Sequence, residues 1–115
     1  MEIKIKKESD VSILEIEGEV DVYYSSRLEE KVKNLISEGE RRVIIDMTEV
    51  SYMDSSGLGV LVGSLKNLKK SKGEMKIAGV KGEIMNVFEI TRLNTFFDMY
   101  NTVPEALANF KGSGD

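Results

Sequence analysis

Arg42-Val43-Ile44-Ile45-Asp46-Met47 is the most apolar run of the chain, and it leads into a helical stripe a few residues later. In that stripe Leu58, Leu61, Val62, Leu65 and Leu68 recur at i, i+3, i+4, i+7 and i+10. The first pattern predicts a central strand buried on both faces. The second draws one apolar edge along a helix of 3.6 residues per turn. A strand that needs cover on two sides, followed by an amphipathic helix, limits the chain to a layered α/β arrangement.

Between strand and helix stand Asp54, Ser55, Ser56, Gly57 and Gly59. Ser and Asp are favoured where the first N–H groups of a helix lack partners. The spacing therefore predicts a polar turn with two hydroxyls at the positive end of the helix dipole. With Ser55 as the N-cap, its oxygen accepts a hydrogen bond from the turn. Two readings of the hydroxyls stand side by side. One is capping alone. The other is a modification site, since functional groups of open α/β sheets lie beyond the carboxyl ends of the strands. A phosphate at a helix start also meets free N–H groups and a favourable dipole. Spacing does not choose between them.

The chemistry open to the chain is narrow. Its 115 residues suffice for one domain and are too few for two ordinary ones. There is no Cys and no His. Disulfides, thiolate metal sites, thiol nucleophiles, His-ligated zinc and Ser-His-Asp hydrolysis are excluded within it. A net charge of −4 makes nucleic acid and anionic membrane poor partners. The opening MEIKIKKESD is no signal peptide, no apolar run approaches a membrane span, and the expected location is cytoplasmic. There is no phosphate-binding G-x-x-x-x-G-K-[ST] run, and the glycines of Gly57–Gly63 are a weak nucleotide signal. Asp46 follows a strand but lacks the carboxylate cluster of a phosphoacceptor aspartate. Ser55 has no base at a suitable spacing, Asp54 and Lys66 being nearest in sequence. No catalytic residue, metal or cofactor is expected. A Ser at an exposed helix start in such a chain suits being acted upon rather than acting.

The remaining elements read in order. Glu2–Lys6 alternates Ile with Lys, an edge strand. Val11–Glu17 follows after a short turn, antiparallel to it. Gly18-Glu19-Val20-Asp21 leaves that strand. A helix runs from about Ser25 to Ser37 with Leu28, Val32, Leu35 and Ile36 inward and Glu29–Lys33 as an i, i+4 pair. Met75–Val80 is a strand parallel to the central one. Gly82 opens a third helix with Ile84, Val87 and Phe88 inward, and Leu93, Phe96 and Phe97 extend the apolar set past a turn at Asn94. Met99–Asn101 is a short edge strand, and Thr102-Val103-Pro104-Glu105 starts a last helix carrying Ala106, Leu107 and Phe110. The order ββαβαβα(β)α predicts a mixed sheet of four to five strands packed with about four helices. Residues 1–110 are expected to form the domain, and the Gly/Ser-rich 111–115 a flexible tail.

Met53-Asp54-Ser55-Ser56-Gly57-Leu58-Gly59 resembles, letter for letter, the phosphorylation motif of the anti-sigma factor antagonists, the single-domain STAS proteins of bacteria. Gly18-Glu19-Val20-Asp21 with Arg27-Leu28, Val43–Asp46 with Ser51-Tyr52, and Phe88-Glu89-Ile90-Thr91 with Leu93, Phe97 and Glu105-Ala106-Leu107 resemble the same family in the same order. The resemblance spans about residues 2 to 110. It implies the STAS fold and a partner-switching module. The unmodified antagonist binds an anti-sigma factor that is also a serine kinase, which frees a sigma factor. The kinase uses ATP to phosphorylate the first Ser of the motif, here Ser55. The phosphorylated form lets go, and a metal-dependent serine phosphatase resets it. Asp21, Asp54, Ser56, Gly57, Leu58 and Gly59 match the positions implied in kinase binding or in shaping the turn. The chain departs from the family at Arg92, where a small Gly is common before Leu. It also departs at Val22-Tyr23-Tyr24, a variable stretch where Tyr23 or Tyr24 would tune which partner is bound. A monomer or weak dimer is expected. Two other readings stay open: a nucleotide- or small-molecule-sensing STAS module, and a building block of a stress-signalling scaffold.

Overall fold

Branched apolar residues crowd the two strands at the middle of the sheet, and the rest of the chain is hung on them. The computed structural model describes residues 1–110. In chain order they form β1 (Glu2–Glu8), β2 (Val11–Val20), α1 (Ser25–Ser37), β3 (Arg42–Met53) and α2 (Ser55–Lys70). Then come β4 (Glu74–Ala78), α3 (Gly82–Ile90), α4 (Leu93–Phe96), β5 (Asp98–Tyr100) and α5 (Val103–Ala108). The strands lie in the order β1-β2-β3-β4-β5. β1 pairs antiparallel with β2, and the other neighbours are parallel. The expected mixed α/β sheet is therefore present with five strands. The expected tail, residues 111–115, lies outside the described residues.

Alternate residues of the central strands serve two cores. Leu14 and Ile16 of β2, Val43, Ile45 and Met47 of β3, and Met75 and Ile77 of β4 face α1, α2 and α3, meeting Leu28, Val32, Leu61, Leu65, Leu68 and Phe88. The opposite face is thinner. There Val11, Ile13, Ile44 and Ala78 are covered by Ala106 and Phe110 from the C-terminal end of the described chain. Lys76 is buried on that face. Its Nζ donates to Asp98 Oδ2 at 3.2 Å and lies 4.9 Å from the Phe110 ring centre and 5.4 Å from that of Tyr100, so the charge is compensated.

Several expectations are corrected. Gly18–Val20 continues β2 instead of leaving it. The β2–β3 register shifts twice, between Glu15 and Glu17 and again between Gly18 and Glu19, with Gly18 at φ 98°. Such irregularity lets a strand carry an extra residue and bend, and it returns Val20 to the core. β3 runs to Met53 rather than Met47, because Val50 and Met53 keep facing the core while Thr48, Glu49, Ser51 and Tyr52 face solvent. Asp46 is thus inside the strand, its Oδ1 accepting from Thr48 N at 3.1 Å and Thr48 Oγ1 at 2.6 Å. The chain also turns at Thr91-Arg92 rather than at Asn94, and the short α4 follows, which brings the helices among the described residues to five. Arg92 takes the left-handed conformation at φ 62°. Phe97 is core, edge-on to Phe88 at 6.0 Å, but Phe96 is 41% exposed, and Val87, expected inward, lies on the exposed side of α3.

Candidate functional site

The carboxyl ends of β2 and β3 lie side by side, and two loops leave them there. Asp54 N donates to Val20 O at 3.4 Å, so the start of α2 is tied to the end of β2. Gly57 allows this approach. A Cβ at that position would lie 2.7 Å from Val20 O and 2.8 Å from Met53 Cγ, closer than real atoms come.

The cap of α2 is Asp54, not Ser55. Its Oδ1 accepts from Ser56 N at 2.9 Å and from Gly57 N at 3.2 Å. Its extended backbone (φ −105°, ψ −171°) is that of an N-cap. Asp54 O then accepts from Leu58 N at 3.1 Å, the first bond of the helix ladder. Ser55 becomes the first helical residue and is exposed to solvent. A carboxylate outcompetes a hydroxyl here because it brings a full negative charge to the positive helix end.

The second oxygen of Asp54 reaches the neighbouring loop. Oδ2 accepts from Val22 N at 3.1 Å. Asp21 holds the rest of that loop: its Oδ1 accepts from Tyr23 N at 3.0 Å and Tyr24 N at 3.2 Å. Asp21 O accepts from Ser25 N at 2.8 Å, at the entry to α1. Asp21 and Asp54, far apart in the chain, therefore hold one loop between them, and the exposed Ser55 follows Asp54 directly.

The residues singled out from the sequence fall into two groups. Asp21, Asp54, Ser55 and Ser56 border the turn, and Gly59 is exposed one turn along the helix. Gly57 and Leu58 are buried, Leu58 within the main core. Both shape the turn from inside and offer little for a partner to touch. The Asp54–Val22 link was not foreseen, since no local spacing reports a bond across 32 residues. The choice of cap was within reach of the sequence, because Asp immediately before two Ser is at least as good a cap as either.

Two hollows bear on the other readings. One, of about 110 Å³, lies beside the turn between Ser51, Tyr52 and Met53 of β3 and Glu83, Ile84 and Val87 of α3. The larger, about 240 Å³, lies on the open sheet face, where Glu2, Glu15, Glu17, Asp46 and Glu49 line it with Lys4. Its carboxylates outnumber its single Lys, the wrong sign for a nucleotide phosphate. Among the described residues no group of acidic side chains is arranged to hold a metal ion, and no helix is long and apolar enough to cross a membrane.

Comparison with known proteins agrees with this geometry. Residues 2–106 match the STAS domain family. The anti-sigma-B factor antagonist of Listeria monocytogenes is 36% identical over 109 residues, 95% of each chain. That of Staphylococcus aureus is 42% identical over 80 residues, 70% of this chain and 74% of the relative. The fold is shared with the anti-sigma factor antagonist SpoIIAA in its unphosphorylated form (TM-score 0.74, 19% identity, 96% and 99% of the two chains). It is shared equally with the Bacillus SpoIIAA in the phosphorylated form (TM-score 0.74, 22% identity, 93% and 97%). A strand pair, a turn and a helix start arranged in this way, with relatives that span nearly its whole length, mean that the chain belongs to the STAS domain family, among the anti-sigma factor antagonists.

Proposed function

We propose that this chain is a partner switch whose state is written on Ser55. In the unmodified form it binds an anti-sigma factor that is a serine kinase, and so frees a sigma factor in the cytoplasm. Phosphorylation of Ser55 ends that binding, and a metal-dependent serine phosphatase restores it. The observation that carries the reading is the division of labour between Asp54 and Ser55. Asp54 satisfies the helix start, so the exposed Ser55 hydroxyl is not needed for the fold. It can take a phosphoryl group without undoing the cap.

The charge explains why modification would act on the interface and not on the domain. A phosphoserine adds about −1.5 to −2 charges. At the first turn of α2 the helix dipole is favourable to that charge, by up to about 1 kcal/mol at an exposed site. Asp21 and Asp54 already make the turn acidic, so a partner surface that tolerates two carboxylates meets a much larger negative charge. The phosphorylated form of SpoIIAA has the same fold, which supports the idea that such a domain accepts the group.

The test is incubation with ATP and the serine-kinase anti-sigma factors of the same genome, followed by peptide mass spectrometry. One phosphoryl group on Ser55, absent in Ser55→Ala, is the expected result. Ser55→Ala should still bind the kinase, and Ser55→Asp should bind more weakly. Equal kinase affinity for wild type and Ser55→Asp would remove charge as the switch. Absence of labelling by every such kinase would return Ser55 to a plain helix-start residue.

A further inference from the structure

We propose that Val22 and Tyr23 form a preset apolar anchor for the kinase that modifies Ser55, with Tyr23 the specificity-determining residue; the inference rests on the reading of Ser55 given above. Three consecutive N–H groups of the loop, those of Val22, Tyr23 and Tyr24, are each bonded to a carboxylate of Asp54 or Asp21. The loop backbone is thus fixed at three consecutive N–H groups. Yet its side chains stand in solvent: Val22 is 63% exposed and Tyr23 81%. Neither stabilises the domain by burial, and an ordered loop that displays a tyrosine and a valine is arranged for contact.

The place of the loop ties it to the acceptor. Asp54 pins Val22 with one oxygen and starts α2 with the other, and Ser55 is the next residue. Anchor and acceptor are therefore one rigid unit. A partner that seats the Tyr23 ring has Ser55 in register with no loop left to order. Tyrosine suits this, since it brings a large, amphipathic surface with few rotatable bonds. Asp21 and Asp54, whose carboxylates bond the loop N–H groups, give the anchor a negative surround. The matching kinase surface is an apolar pocket for the ring, with a polar rim that accepts the two carboxylates but not a further phosphate charge.

The test is steady-state phosphorylation by the kinase that labels Ser55, with antagonist concentration varied. Tyr23→Ala should raise KM about tenfold with kcat within about twofold, the pattern of an interaction made equally in ground and transition states. Tyr23→Phe should restore KM to within about threefold, because the ring is kept. Asp54→Asn keeps one oxygen for the helix start but replaces the other by an amide nitrogen that accepts nothing from Val22 N–H. It should raise KM, and its effect should be less than additive with Tyr23→Ala if the clamp presents the anchor. An unchanged melting temperature for Tyr23→Ala separates recognition from folding. Equal kcat/KM for wild type and Tyr23→Ala overturns the anchor while leaving Ser55 as acceptor. A strictly additive double variant overturns the clamp as its presenter. Failure to label the wild type at all ends the Ser55 reading and the anchor with it.

Discussion

α2 and α3 both start just beyond the carboxyl end of a parallel strand, and they are built to opposite standards. α2 is capped by a carboxylate and buries Leu58, Leu61, Leu65 and Leu68. α3 follows Lys81, which makes no side-chain cap bond, and buries only Phe88. Val87 and Ile90 on α3 stay in solvent, Ile90 at 82% exposure. α3 ends at Ile90 with Thr91 as its C-cap, and a left-handed Arg92 then leads into a four-residue helix. Rigidity is therefore concentrated on the helix that carries Ser55 and on the loop pinned to it, while the second crossover is loosely finished.

That contrast is most exposed to refutation in the packing of the two helices. Leu61→Ala should cost about 3 kcal/mol by denaturant unfolding, whereas Val87→Ala should stay within about 0.5 kcal/mol. Comparable losses at both would mean that α3 is packed as tightly as α2. Gly57→Ala tests the closeness of α2 to β2. With Val20 O only 2.7 Å from the new Cβ, a loss of about 2 kcal/mol is expected, against less than about 0.5 kcal/mol for Gly59→Ala, where nothing lies within 4 Å. The Gly59 change should if anything help the helix.

The caps give the next largest difference. Asp54→Ala removes the α2 cap and should cost about 1–2 kcal/mol, while Lys81→Ala at the start of α3 should be nearly neutral. Hydrogen exchange at Val22 N–H is the finer probe, because Asp54→Ala should also release that amide. Arg92→Gly runs the other way. A left-handed non-glycine costs about 1–2 kcal/mol, partly offset by the extra freedom glycine brings to the unfolded chain, so a gain of about 0.5–1 kcal/mol is expected in thermal unfolding.

The smallest effect lies away from both helix starts, at Glu40. The hydrogen bond from Lys7, and with it one from Ser12, holds its carboxyl below the usual glutamate range. A lowered folded value contributes stability above the unfolded value and loses it as pH falls through the folded one. The pair is solvent-screened, so Glu40→Gln should cost under about 0.5 kcal/mol at pH 7. The gap should narrow as pH falls below the ordinary glutamate range and close once it passes the lowered folded value, measured as the difference in urea midpoints.

Much of this was legible in the chain itself. Residues 25–37 read as a helix because Leu28, Val32 and Leu35 repeat at its period, and the α1 boundaries agree with that pattern. The Glu29–Lys33 pair is present at 4.0 Å. Thr102 caps α5, accepting from Glu105 N, with Pro104 in the first turn. The strand ends were not legible. Beyond Met47 and Glu17 the apolar alternation breaks down, with Thr48, Glu49, Ser51, Gly18 and Glu19 interspersed, and only pairing with a neighbour keeps these stretches extended. At the site, the Asp-Ser-Ser-Gly turn was visible as a turn. Its cap was misassigned by one residue, which changes the meaning of Ser55 from a fold-bearing oxygen to a spare one.

Near neighbours in the chain account for the periodic faces of α1 and α2, the antiparallel first hairpin, the polar turn before α2 and the absence of thiol and imidazole chemistry. All of these can be read from residue order alone, because the forces behind them act over a few positions. The joining of Asp21, Val22 and Asp54 beside Ser55 is of another kind and belongs to the tertiary structure. It follows from the parallel alignment of β2 and β3, whose carboxyl ends meet because α1 crosses over between them. A hydrogen bond between residues 22 and 54 has no local energy to leave a trace in the sequence; it exists because the sheet brings its two ends within 3.1 Å.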